Sequence, residues 1–191
     1  MYTKKYKIAV IIPVYNAEKY IKKCIKSFQK QTFQNFKLVL VNDGSKDKSG
    51  KICDDMAKKD ERIYVIHQEN KGAVEARKTG VLSQEAQKAD YIFLSDADDV
   101  VESDALEKLY NTAVEYDADC VCANMRKYWK GIKVNSKYKS PCFNIKAPKV
   151  YNNRDITSIG GFRDEECLSW RVRQAAAAGS GFDPGAALLW N

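Results

Sequence analysis

The sequence has a single histidine, His67, and that scarcity removes whole classes of chemistry. It excludes a zinc site built on several imidazoles and a Ser-His-Asp triad with a choice of bases. His67 closes the apolar run Ile63-Tyr64-Val65-Ile66 and reads as a strand-end residue rather than a catalyst. No C-x-x-C pair and no metal-ligand spacing occur among the six cysteines, at 24, 53, 120, 122, 142 and 167. Cys24 and Cys53 fall in apolar helical patterns, which predicts reduced, buried thiols. Neither G-x-G-x-x-G nor a P-loop is present, which disfavours NAD and ATP-grasping loops. The longest apolar run, residues 8–14, includes Pro13 and is too short to span a bilayer. Lys4, Lys5 and Lys7 precede it as in a signal peptide, but no small-residue cleavage site follows Tyr15 and Asn16. The expectation is a mature chain in the cytoplasm.

Lysine is missing from the last 34 residues. All 25 lysines lie in residues 1–157, where 29 basic side chains face 21 acidic ones. The remainder holds three Arg, four acids, half of the ten Gly and the run Ala175 to Ala178. This shift near Ser158 fits a domain edge, a decayed gene end or a joined sequence. The net charge of +7 favours an anionic partner: nucleic acid, anionic lipid or a phosphorylated small molecule. A chain of 191 residues that is 45% hydrophobic and 30% charged buries a core as one large domain, or a domain with a small appendage. Disorder and collagen-like structure are excluded.

Residues 7–14 form a β-branched apolar run, the signature of a strand buried on both faces. Tyr20, Ile21, Cys24, Ile25 and Phe28 then recur at helical spacing, predicting a helix over 17–31. A second strand is predicted at 36–41, then a helix carrying Ile52, Cys53 and Met56 with Asp47 or Ser49 as cap. A third strand at 63–67 leads through Gly72 to a helix ending near Gln84. A fourth strand at 91–94 precedes an amphipathic helix with Leu106, Leu109, Tyr110, Ala113 and Val114, capped by Ser103. A fifth short strand is predicted at 120–125. Alternation of this kind implies right-handed βαβ crossovers and a parallel sheet.

The chemically capable residues are not scattered over this pattern. Tyr15-Asn16, Asp43-Gly44, Asn70 and Asp96-Asp98-Asp99 each follow the C-terminal end of a strand. In a parallel sheet those ends share one edge, where open α/β folds bind ligands. Three carboxylates crowd the turn Asp96-Ala97-Asp98-Asp99. Two readings stand: a solvated acidic turn, or a divalent-metal site whose remaining ligands are diphosphate oxygens. Asp43 is either a turn residue before Gly44 or an acceptor for a ring N–H of a nucleobase. Arg77 is either a surface charge or a guanidinium for phosphate or ribose.

Five ordered motifs now carry a resemblance. Ile11-Ile12-Pro13-Val14-Tyr15-Asn16 is followed by Gln31-Thr32, then Val41-Asn42-Asp43-Gly44-Ser45. Asn70-Lys71-Gly72 with Ala76-Arg77 and Ser95-Asp96-Ala97-Asp98-Asp99 complete the order. Over residues 7–126 these resemble the donor-binding half of a family-2 glycosyltransferase of the GT-A fold. The resemblance implies an α/β fold, a Rossmann-like sheet of mainly parallel strands with helices on both faces. It also implies roles: Pro13 and Tyr15 line the base pocket, and Asp43 binds a uracil-like ring. Arg77 lies near the phosphates, Asp96 near ribose or metal, and Asp98 on Mn²⁺ or Mg²⁺. Lys78 departs from the Asn usual in the family after Arg.

The expected division is a donor-binding half at 1–126 and a short, divergent acceptor and catalytic-base half of the same domain at 127–191. Gly160-Gly161-Phe162-Arg163-Asp164-Glu165 and Leu168-Ser169-Trp170-Arg171-Val172-Arg173 are similar to the family's late Gly-Gly-Phe and Glu-Asp regions. The intervening residues are missing, and Glu166-Cys167 stands where Glu-Asp is expected. Asp164 and Glu166, with Glu165 beside them, are therefore the candidate bases for an acceptor hydroxyl. The segment 127–158 is short for acceptor binding, and the absence of Gln-x-x-Arg-Trp argues against processive polymer synthesis.

The implied activity is inverting, metal-dependent transfer of a hexose from a nucleotide diphosphate sugar, with UDP expected, to a glycan or lipid-linked acceptor. Its alternative is a truncated nucleotide-sugar-binding module with little turnover. Peripheral contact with the inner face of the membrane is expected. A phosphoacceptor receiver domain is set aside because it needs acids after the first strand, where Pro13-Val14-Tyr15-Asn16 stands. Nucleic-acid binding is set aside because the lysines are dispersed without an aromatic platform.

Overall fold

In the computed structural model, residues 5–118 are described, with 120–121, 128–129, 132–133, 150–151 and 171–173 beyond them. The centre of the sheet is β1 (Tyr6–Val14), whose residues 8–12 are at most 1% exposed. Burial on both sides follows from the alternation of a pleated strand. Ile8, Val10, Ile12 and Val14 join one core, while Ala9 and Ile11 join a second. The first core takes Ile21, Cys24, Ile25 and Phe28 of α1 (Ile21–Gln29) and Cys53 and Met56 of α2 (Ser49–Ala57). Leu106, Leu109 and Ala113 of α5 (Ala105–Glu115) also join it. The second core takes Ala76 and Val81 of α3 (Ala73–Leu82) and Ala86 of the short α4 (Gln84–Gln87). Burying each large side chain contributes about 1.5–3 kcal/mol, so both faces of the sheet must stay covered.

Two strands pair in parallel with β1: β2 (Phe36–Asp43) on one side and β4 (Ala89–Leu94) on the other. Beyond β2 lies β3 (Ile63–Gln68), also parallel, so four parallel strands run in the order β3-β2-β1-β4. Past β4 the direction changes. The three-residue β9 (Arg171–Arg173) pairs antiparallel with β4, and β5 (Cys120–Val121) with both β9 and β8 (Val150–Tyr151). A separate hairpin joins β6 (Tyr128–Trp129) to β7 (Ile132–Lys133). The fifth strand thus exists, but it is two residues long and antiparallel to its neighbours.

Two local features explain residues that look out of place. Pro13 sits in the central strand, yet pairing with β4 ends at Ile11↔Leu94 and a bond from Ser95 N to Ile11 O at 3.1 Å. Pro13 has the parity of Ile11, so its missing N–H would face the side where the ladder has already stopped. Gly80 stands inside α3, where a Cβ would lie 2.4 Å from Ile11 Cγ2. Its bare backbone lets the helix settle onto β1.

The structure corrects three helix boundaries. α1 begins at Ile21 rather than 17, because Ala17 O is taken by a turn to Tyr20 N and Ile21 N, both at 2.9 Å. The helix predicted after Gly72 to about Gln84 is α3, which stops at Leu82; the short α4 follows Ser83, whose hydroxyl accepts from Ala86 N at 3.3 Å. Ser103 does not cap α5. Asp104 occupies that position without a side-chain bond, and the Leu106 N–H is met by Gln31 Oε1 at 3.0 Å. At α2 the position before Ser49 is Lys48, and Asp47 Oδ1 still satisfies the Ser49 N–H at 2.9 Å.

Candidate functional site

The register places the C-terminal ends of β1, β2 and β4 side by side, with Val14 opposite Asn42 and Ile11 opposite Leu94. The loops after β1, β2 and β3 are tied to one another by side-chain bonds, and the loop after β4 is tied to α1 and α3. The β1–α1 and β2–α2 loops are joined first. Asn16 N donates to Ser45 Oγ at 3.1 Å, Lys46 N to Asn16 Oδ1 at 2.9 Å, and Ala17 N to Ser49 Oγ at 2.8 Å. Asn16 adopts φ 48°, a left-handed conformation that asparagine tolerates better than most residues. Pro13 is half-buried at the end of β1, and Tyr15 beyond it is 49% exposed.

Asp43 closes β2 and is only 2% exposed. Its Oδ1 accepts from Gln68 Nε2 and from Lys71 N, both at 2.8 Å, and its Oδ2 accepts from Gly72 N at 2.9 Å. One buried carboxylate therefore holds the end of β3 and the start of α3. The turn reading is also correct in its geometry. Gly44 has φ +67°, and a Cβ there would lie 2.7 Å from Asn70 N, so the β2–α2 and β3–α3 loops touch where only glycine fits.

On the other flank, Arg77 in the second turn of α3 reaches across to the acidic turn. Its Nη2 donates to Asp96 Oδ1 at 2.6 Å, with both side chains about one-quarter exposed. Asp98 is exposed, and Asp99 is partly buried. Burial, then the charges of Asp96 and Asp98, push the Asp99 carboxyl up to about 6. Cys24 Sγ donates to Asp96 O at 3.4 Å, and burial followed by the same acids pushes its thiol up to about 12. Cys53 is likewise buried and pushed up to about 12, so both helical cysteines are inert thiols, as expected. Among the described residues, no three His, Cys, Asp or Glu side chains converge on a metal position.

Of the expected site residues, Pro13, Tyr15, Asp43, Arg77, Asp96 and Asp98 all lie at this edge; Asp164, Glu166 and Cys167 lie outside the described residues. Two positioning residues carried no role in the sequence reading. Gln31, 2% exposed, donates to Glu102 O at 2.6 Å while its Oε1 accepts from Leu106 N, fixing the segment that follows the acidic turn. Its presence in an ordered motif was the available signal. Gln68, an unremarked strand residue, holds Asp43.

The family model described as Glycosyl transferase family 2 matches residues 9–169. Among curated relatives, Glycosyltransferase GlyG of Streptococcus pneumoniae serotype 4 is 43% identical over 63% of this chain and 40% of its own length. EpsJ of Bacillus subtilis (strain 168), named an uncharacterized glycosyltransferase, is 42% identical over 86% of this chain and 46% of its own. The chain thus spans less than half the length of these relatives. Among solved structures, S. aureus TarS 1-349 in complex with UDP-GlcNAc superposes with a TM-score of 0.59. It is 28% identical, and the match covers 68% of this chain and 37% of the TarS 1-349 chain. The α/β, GT-A arrangement expected from the motifs is the one found, and the chain belongs to glycosyl transferase family 2.

Proposed function

We propose that this chain binds a nucleoside diphosphate sugar along the edge formed by β1, β2 and β4, and transfers a hexose from it with inversion, UDP being the nucleotide. The observation that supports this reading is the convergence on one edge of a buried, oriented carboxylate, Asp43, and an acidic turn tied to Arg77. An ionised carboxylate offers about four acceptor positions, and three at Asp43 are filled by protein donors. The position left on Oδ2 suits a ring N–H of uracil, with Pro13 and the exposed Tyr15 beside it as the walls of the base pocket. Arg77 faces the diphosphate, and Asp96 the ribose or a metal ion.

Mn²⁺ or Mg²⁺ fits the donor set. The carboxylates are hard oxygen ligands, Asp98 is exposed, and the Asp99 carboxyl is raised first by burial and then by the charges of Asp96 and Asp98. Such an ion takes its other ligands from phosphate oxygens and water, so a protein-only cage is not required. When bound, it supplies neutralisation of the charge that develops on the departing diphosphate. Glu166 or Asp164 takes the proton of the acceptor hydroxyl as that oxygen attacks the anomeric carbon. The bond from that carbon to the diphosphate oxygen breaks, and its electron pair leaves on the diphosphate.

The acceptor is a glycan or a lipid-linked sugar, met by peripheral contact at the cytoplasmic face of the membrane. The charge of +7 supports attraction to anionic lipid, and no described helix is long and apolar enough to cross a bilayer. The test is thermal unfolding with UDP and Mn²⁺. A hundredfold excess over Kd stabilises a native protein by about 2.7 kcal/mol. That gain should appear in the unmodified chain and be lost in Asp98→Ala. An equal gain in EDTA overturns the metal role, and no gain with any nucleotide diphosphate overturns the donor site.

A further inference from the structure

His67 does more than end a strand. Its ring stands between α2 and the loop that carries Asp43, and its two nitrogens touch different elements. Nε2 lies 3.0 Å from Asp54 Oδ1 of α2, and Nδ1 lies 3.0 Å from Asn42 Nδ2 at the end of β2. Asn42 is buried, at 8% exposure, and its Oδ1 accepts from Ser45 N at 3.3 Å. Ser45 Oγ in turn accepts from Asn16 N and donates to Val14 O at 3.3 Å. A continuous chain of bonds therefore runs from Asp54 through His67, Asn42 and Ser45 to the loop bearing Tyr15.

The donor and acceptor assignments along this chain leave one consistent solution. The Ser45 N–H needs an acceptor, so the Asn42 carbonyl oxygen faces Ser45 and its NH₂ faces the imidazole. An NH₂ group only donates, so Nδ1 must be the bare nitrogen, and the ring proton sits on Nε2 against Asp54. A proton added to Nδ1 sets two donors face to face. Rotating the Asn42 amide to repair that contact would turn its NH₂ toward the Ser45 N–H and break the next bond instead. The network has no neutral way to accept the proton. Asp54 is the charged partner facing the ring from α2, and from β2 the ring meets the uncharged Asn42. Also on α2, Gly50 lies so close that a Cβ would be 2.8 Å from Asn42 Nδ2 and 3.6 Å from His67 Cε1.

We infer that His67 is a positioning residue for the nucleotide-binding loop at 42–45, holding it through Asn42 only while the imidazole is neutral. This rests on the donor reading above for its nucleotide, though not for the coupling itself. A proton on Nδ1 removes the acceptor that holds the Asn42 NH₂, so donor binding weakens as the ring is protonated.

The experiment uses the ¹⁵N-labelled full chain. Without ligand, the Ser45 amide and the Asn42 side-chain NH₂ signals should shift with the same midpoint as the His67 ring, and that titration should vanish in His67→Gln. If Ser45 ignores the ring titration, the inference is overturned. UDP affinity, measured with Mn²⁺ in the same buffers, should fall about three- to tenfold as His67 protonates, the equivalent of one lost hydrogen bond. His67→Gln should lose that part of the pH dependence, and the slope it keeps comes from other groups, the titrating phosphate of UDP included. Gly50→Ala should weaken UDP at every pH by pushing on Asn42, although alanine favours the helix. Identical pH profiles in the unmodified chain and His67→Gln would overturn the inference. If the amide coupling is present but UDP does not bind at any pH, the donor reading fails and the loop coupling stands.

Discussion

Two groups of aspartates sit at the same sheet edge and are treated in opposite ways. Asp43 is buried and accepts three hydrogen bonds, two of them from the backbone N–H groups of Lys71 and Gly72 ahead of α3. Among the described residues, the three carboxylates of the 96–99 turn have one paired cation, Arg77, on Asp96. The difference teaches that the first acid organises the edge, whereas the second group leaves like charges crowded in one turn. Burial with full partners stabilises, whereas burial among like charges raises a pKa.

The contrast can be broken most sharply at Asp43. Asp43→Ala strips Gln68 Nε2, Lys71 N and Gly72 N of their acceptor in a buried position, so urea unfolding should show a loss of about 3 kcal/mol. A loss below about 1 kcal/mol would return Asp43 to a plain turn residue. The next effect has the opposite sign. The folded Asp99 carboxyl, at about 6, lies above its ordinary 3.8, so the native state binds more protons than the unfolded chain between those values. The contribution is present below about pH 4 and is lost as pH rises through 6. Asp99→Asn should therefore flatten the stability slope between pH 4 and 6 and stabilise the protein at pH 7 by about 1 kcal/mol, discounted for partial exposure. A slope unchanged by the substitution would mean that the turn is not self-repelling.

Arg77→Gln tests the link between the two groups. Removing a partly exposed pair should cost about 1 kcal/mol in urea unfolding, and no change there would mean that the pair does not hold the turn. The smallest stability effect belongs to the exposed Asp98. Asp98→Ala should change unfolding free energy by no more than about 0.5 kcal/mol, even as it removes the Mn²⁺-dependent response to UDP. A protein in which Asp98→Ala unfolds like Asp43→Ala would erase the contrast between them.

Much of this edge was legible because its signals are local. The run at 8–14, the spacing of Ile21, Cys24, Ile25 and Phe28, and Gly44 after Asp43 each report a conformation within a few residues. Strand ends followed by Asn, Asp and Gly then predict a shared edge by topology alone. What was misread depended on distant neighbours. Ser103 is a good cap by composition, but Gln31, 75 residues before Leu106, arrived first at the N–H that needed satisfying. Asp43 read as a turn residue or a nucleobase acceptor, and its protein partners went unseen because they lie 25 to 29 residues further along the chain.

The amino-acid sequence by itself determined the alternation of strands and helices, the burial of β1 on both faces and the gathering of acids at one edge, since pleat and helix periods are written into neighbouring residues. Only the tertiary structure decided that Asp43 is a clamp, that Arg77 answers Asp96, that His67 bridges Asp54 and Asn42, and that β9 enters the sheet antiparallel beside β4. Those outcomes follow from which donors meet which acceptors once the core has closed. A hydrogen bond between residues 13 to 29 apart leaves no period in the sequence.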